Sequence, residues 1–141
     1  MTLSLEQANS IIEGALAKGG EMGLKPLTVA VLDGGGHLVG FQRSDGSSNL
    51  RPQIAIGKAA GAVSLGVNSR VIGEMAVERP HFIASLGPLA SGGIVPVAGG
   101  VLIMDERGLL IGAVGVTGDT SDNDETAALA GIESAGLRSK E

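Results

Sequence analysis

From Gly92 to Gly131 the chain reads G-G-I-V-P-V-A-G-G-V-L-I-M-D-E-R-G-L-L-I-G-A-V-G-V-T-G-D-T-S-D-N-D-E-T-A-A-L-A-G. Valine, isoleucine and leucine fall on successive positions, so neither a strict polar/apolar alternation nor a helical stripe describes it. Strands covered on both faces give this pattern. The interspersed glycines permit turns and close backbone approach. The run ends in Asp122, Asp124 and Glu125, charges that suit the first turn of a helix. This stretch is therefore read as sheet interior, followed by a loop that delivers the chain to its last helix.

The rest of the chain has to supply layers for such a sheet. Its 141 residues fit one domain, 1–141. Ser4 with Gln7 three residues on is a capping-box signature. Leu5, Ala8, Ile11, Ile12, Ala15, Leu16 and Met22 then recur at helical spacing, which predicts a helix over 4–22 with a stop at Gly23. Leu27–Asp33 and His37–Arg43 read as a hairpin around Gly34-Gly35-Gly36. Pro52–Leu65 reads as a helix with proline in its first turn. Its residues are small or apolar apart from Lys58, which either reaches solvent along its stem or points into a polar pocket. Val71–Val77 and Phe82–Leu86 are expected as short helical turns. Ile94–Ala98, with Pro96 implying an edge or bulge, is the expected third strand. Val101–Asp105 and Leu109–Thr117 form a second hairpin, and Asp122–Leu137 the final helix, capped by Ser121 or Asp122. The order is not β-α-β alternation and predicts an α+β domain with a five-stranded, mostly antiparallel sheet flanked by helices. Apolar residues on both strand parities and the aliphatic helix point to self-association.

Composition excludes several chemistries. There is no Cys, Trp or Tyr and there are only two Phe. Disulfides, thiolate metal sites and Cys nucleophiles are thereby excluded, and base-stacking platforms are lacking. A net charge of −5 with no basic run argues against nucleic acid and anionic membranes. The N-terminus shows no basic, apolar leader and no run is long enough to span a bilayer, so a cytoplasmic protein is expected. Gly112-Ala-Val-Gly115-Val-Thr-Gly118 lacks the spacing of a dinucleotide fingerprint and the Gly-Lys-Ser/Thr of a phosphate loop. The acidic residues from Asp119 to Glu125 lack the spacing of a calcium loop, and capping accounts for them. What remains is a set of polar residues from separate segments: Asp33 and His37 at the first hairpin, Arg43 at its far end, Lys58, and Arg70. Such cations suit carboxylates.

These residues also carry a resemblance. Val31-Leu-Asp33-Gly-Gly-Gly36-His37-Leu-Val-Gly-Phe-Gln-Arg43-Ser-Asp45-Gly46 resembles the first block of the GlcG/HbpS-like proteins, the haem-degrading family that includes the C-terminal domain of PduO proteins. Ile56-Gly-Lys58-Ala59-Ala60 is similar to its helical lysine motif. Gly92-Gly93-Ile-Val-Pro96 is similar to its Gly-Gly-x-Pro block, with one extra residue. Gly112 to Gly118, followed by Asp124 and Gly131, resembles its C-terminal signature. The resemblance implies a profilin-like fold, a homo-oligomer, often an octamer, and binding of haem or a related tetrapyrrole, with haem degradation in some members. Under that reading the ligand-binding candidates are His37, Arg43, Lys58, Arg70, Thr117 and Asp124. Lys58, Arg43 and Arg70 would meet the propionates. With neither Cys nor Tyr present, the iron ligand would be His37, His81, a Met or a hydroxyl oxygen, and His37 or His81 is the first choice. Two other readings stay open. In one, the chain acts on a small carboxylated metabolite, with Lys58 and Arg43 holding the anion and His37 or Asp33 moving a proton. In the other, it is a structural oligomer without ligand.

Overall fold

The computed structural model describes residues 2–140. Ser4 opens α1 (Leu5–Met22) with both bonds of the capping box, and Gly23 closes it at φ 66°. Next come β1 (Thr28–Asp33), β2 (Leu38–Arg43), α2 (Arg51–Leu65), α3 (Ser69–Glu78), α4 (Pro80–Leu86) and a 3-10 turn at Gly87–Leu89. The chain continues through β3 (Gly100–Met104), β4 (Leu110–Thr117), α5 (Ser121–Ser134) and β5 (Arg138–Ser139). The five strands form one antiparallel sheet in the order β2-β1-β4-β3-β5. The architecture is the expected α+β domain.

Each sheet face meets a different helix layer. Val29, Val31, Val101, Ile103, Val114 and Val116 join Ile11, Ile12, Ala128 and Ile132 beneath α1 and α5. Burying each of the four isoleucines contributes about 1.5–3 kcal/mol. On the other face Leu32, Leu102 and Ala113 meet Ala59, Ala60 and Ala62 of α2. The two layers explain why β1 and β4 are apolar on both parities.

Glycine sets how closely α2 can lie. Gly100 and Gly115 are cross-strand partners. A Cβ at Gly115 would run into the Ala55 carbonyl oxygen, and one at Gly100 into that of Lys58. The helix therefore rests on sheet backbone rather than on side chains. Its four-residue steps rise about 6 Å, and two strand residues span about 6.6 Å, so Arg51 and Ala55 fall over Thr117 and Gly115. The same device joins α1 to α5, where a Cβ at Gly131 would strike the Ile11 carbonyl oxygen.

Three expectations are corrected. Ile94–Ala98 is not a strand. Pro96 has no N–H to give a ladder, and Gly92 and Gly93 both take left-handed backbone, at φ 83° and 85°. The segment instead crosses the outer side of α2 and α3. Val95 lies against Gly57, Ile94 against Gly61 and the Pro96 carbonyl against Gly73. The chain itself thus covers much of the aliphatic helix. The fifth strand is Arg138–Ser139, paired with Met104 and Ile103. Accordingly the final helix ends at Ser134 rather than Leu137, and a left-handed Gly136 (φ 72°) turns the chain back to the sheet edge. Its cap is Thr120, whose hydroxyl accepts the Asn123 N–H, rather than Ser121 or Asp122.

Candidate functional site

The polar residues gather at two opposite ends of the sheet. At one end lies the β1–β2 turn. One carboxylate oxygen of Asp33 accepts the backbone N–H groups of Gly35 and His37, each at 2.9 Å, and lies 3.2 Å from His37 Nδ1. The His37 backbone bond chiefly holds the Asp33 carboxyl below its ordinary value; burial opposes it, and the Gly35 N–H and the His37 ring add to the lowering. The His37 ring rests on Gly35, where a Cβ would come within 2.8 Å of its Cε1. With Nδ1 engaged by Asp33, Nε2 is left facing outward from a side chain 80% exposed. A cleft of about 610 Å³ adjoins it, lined by Thr2, Leu3, Asp33, Gly34, Gly35, His37, Leu110 and Ile111. That size is ordinary for a small-molecule or cofactor site.

The other end is built around Lys58. The side chain is 2% exposed, donates to the Val116 carbonyl oxygen at 2.9 Å, and pairs with Asp124 at 3.2 Å. Gly99 leaves the space through which it passes. Burial pushes the Lys58 ammonium below its ordinary value; Asp124 opposes this and the nearby charge of Arg51 adds to it. Asp124 spends its second oxygen on the Asp119 N–H. The pair ties α2 to β4 and α5. Thr117 accepts a hydrogen bond from Arg51 Nη1 at 2.7 Å. Arg70 forks onto Glu125 through Nε and reaches Asp122 through Nη2. Arg43 sits opposite Thr28 in the register and is exposed.

The sequence-derived cluster is therefore split. Lys58, Asp124 and Thr117 come together, with Arg70 on the outside of α5 and Arg43 on the neighbouring edge strand. Asp33 and His37 lie five residues along β1 from Thr28, about 17 Å away. One ligand bound to a single copy cannot use Lys58 or Arg43 and His37 as direct partners at that separation unless it spans the strand. His81 is exposed in the first turn of α4 and belongs to neither group. No cluster of three or more metal-binding side chains occurs among the described residues. Arg51 was missed, because only the close approach of α2 to β4 gives it Thr117 as a partner. The pairing of Asp124 with Lys58 was missed too, because its position reads equally well as a capping charge.

The model of the family described as "Haem degrading protein HbpS-like" matches residues 3–133. No curated protein matches the chain. Among solved structures, a PduOC–heme complex superposes with a TM-score of 0.86 at 19% identity, covering 100% of both chains. The HbpS crystal structure gives 0.81 at 27% identity, covering 94% of this chain and 89% of that one. The Klebsiella pneumoniae protein ORFY gives 0.85 at 24% identity, covering 96% and 92%.

Proposed function

The chain belongs to the HbpS-like family of haem-degrading proteins, and on that premise we propose that it binds haem or a related tetrapyrrole in the cleft beside the β1–β2 turn. The observation that carries the reading is the Asp33–His37 pair. A histidine that ligates a metal through one ring nitrogen commonly gives its other N–H to a carboxylate, which fixes tautomer and ring orientation. Here Asp33 takes Nδ1 and leaves Nε2 open at the cleft. Leu3, Leu110 and Ile111 offer the apolar wall a macrocycle requires. The residues present thus fit the group: His37 would hold the iron, Asp33 would orient His37, and Thr2 offers a polar contact. Bound haem would supply redox and oxygen chemistry that no side chain of this protein has.

Hemin titration tests this. The wild-type protein and His81→Ala should give a saturable Soret shift, and His37→Ala should abolish or strongly weaken it. An unchanged shift in His37→Ala refutes the assignment. Haem degradation is the finer claim within the reading, and loss of the Soret band after addition of a reductant in air reads it out. Self-association belongs to the same proposal. Val77 and Leu89 are 84% and 79% exposed, large apolar side chains available to a second copy. The octamer implied by the resemblance is checked by light scattering coupled to gel filtration.

The metabolite reading loses its anion holder in Lys58, which is enclosed and engaged by Asp124 and Val116. No observation favours a ligand-free structural role.

A further inference from the structure

The end of the sheet away from His37 holds two cations with no anionic partner. Arg51 is half-buried and gives Nε to Ser48 and Nη1 to Thr117; Nη2 makes no bond. Arg43 makes no hydrogen bond or ion pair among the described residues. Asp45, the carboxylate nearest to Arg43 in sequence, makes none either. The two arginines flank the start of α2. That start has no side-chain cap, and its second residue is Pro52. A 15-residue helix with an uncapped N-terminus presents partial positive charge there.

A separate observation points to a ligand at the same place. Thr28 is 0% exposed and its hydroxyl has no hydrogen-bond partner; the Ser47 hydroxyl, in the loop between the two arginines, is also unpartnered. Buried polar atoms are almost always satisfied, and an orphan calls for water, an ion or a ligand. The direction of the Thr28 side chain is fixed by the register. Thr28 pairs with Thr117 on one side and with Arg43 on the other, and directly paired residues project from the same face. That face carries α2, because the neighbouring Val29 lies on the α1 and α5 side. Arg51 confirms it by contacting Thr117 Oγ1. Arg43, Thr28 and Thr117 thus form a row across the sheet beneath the start of α2, with Arg51 over it.

We propose that this row is a binding site for a small oxyanion, a carboxylate or phosphate group, separate from the His37 cleft. Arg43 and Arg51 supply the charge and the fork-shaped donors. Thr28 and Thr117 supply hydroxyls at the floor, and the α2 N-terminus adds the Gln53 N–H, since the Arg51 and Ile54 N–H groups already donate to the Ser48 and Leu50 carbonyls and Pro52 has none. Lys58 stays with Asp124 and is not a ligand. A half-exposed arginine shifts readily, so Arg51 admits the anion by turning its guanidinium off Thr117.

Titration with inorganic phosphate and with malonate at low salt, followed by amide shifts in NMR spectra, tests the site and distinguishes the two anion types. Saturable shifts should concentrate at Thr28, Gln53, Ile54 and Thr117. Arg51→Gln and Arg43→Gln should each weaken binding about tenfold, the loss of one charge-assisted contact. Arg107→Gln, a charge control in the β3–β4 turn, should leave it unchanged. Thr28→Val keeps the shape and removes the hydroxyl; it should weaken binding while leaving the fold as stable or more so. The proposal is overturned if neither anion saturates, if Arg107→Gln weakens binding as much as Arg51→Gln, or if Thr28→Val binds as the wild type does.

Discussion

Replacing Lys58 by methionine keeps most of the side-chain volume and removes the ammonium group. Asp124, 1% exposed, then keeps the Asp119 N–H but loses its countercharge, and the Val116 carbonyl loses a donor. Removing one partner of a buried ion pair costs about 3–5 kcal/mol, chiefly because the remaining charge is stranded away from water. Domains of this size are stable by about 5–15 kcal/mol, so the loss takes a large share. It should lower Tm by about 10–15 °C, at roughly 3 °C per kcal/mol for a chain of this length. Urea unfolding followed by circular dichroism measures it directly. The double variant Lys58→Met/Asp124→Leu removes both charges and should recover more than about half of the loss, giving a large coupling energy in the double-mutant cycle. A loss below about 1 kcal/mol in Lys58→Met would refute the reasoning, as would strictly additive losses in the double variant. Either result would mean that water reaches Asp124 and the pair does not join α2 to α5.

Three further outcomes follow from the same geometry. Gly115→Ala drives a Cβ into the Ala55 carbonyl and should destabilise the fold by about 1–3 kcal/mol or more, as read by urea unfolding. Asp119 accepts from Asn123 first, then from Lys25 and Thr120, and its carboxyl falls from 3.8 to about 2. Its contribution is thus complete above pH 3.8 and lost as pH falls through about 2; Asp119→Asn should flatten the acid limb of the stability curve in that interval. Gly35→Ala would crowd the His37 ring and should weaken hemin binding without lowering Tm appreciably, in paired Soret and thermal measurements.

Much of the fold is legible in the residues themselves. The Ser4–Gln7 box, the triple-glycine turn and the two-sided apolar strands each have a local cause, and the structure carries all three. The failures at both ends of the glycine-rich stretch come from partners distant in sequence. Ile94–Ala98 has strand composition, yet glycines at 57, 61 and 73 open a track across two helices that it occupies instead. Arg138–Ser139 has little strand character of its own and is recruited by the free edge of β3. The candidate site was legible only as a set of residue types. Asp33 and His37 are near in sequence, and one turn joins them. Lys58 and Asp124 are 66 residues apart, and Arg51 and Thr117 likewise. Only the descent of α2 onto Gly100 and Gly115 brings each pair together.

The central claim is that iron is held at the β1–β2 turn, and the paramagnetism of ferric haem locates it without any substitution. Amide spectra of the protein with and without one equivalent of hemin should show Gly34, Gly35, His37, Leu110 and Ile111 broadened beyond detection. Thr28, Arg51 and Thr117, at the far end of the sheet, should keep their signals. Broadening at Thr28 and Thr117 with His37 and Ile111 untouched would contradict the account.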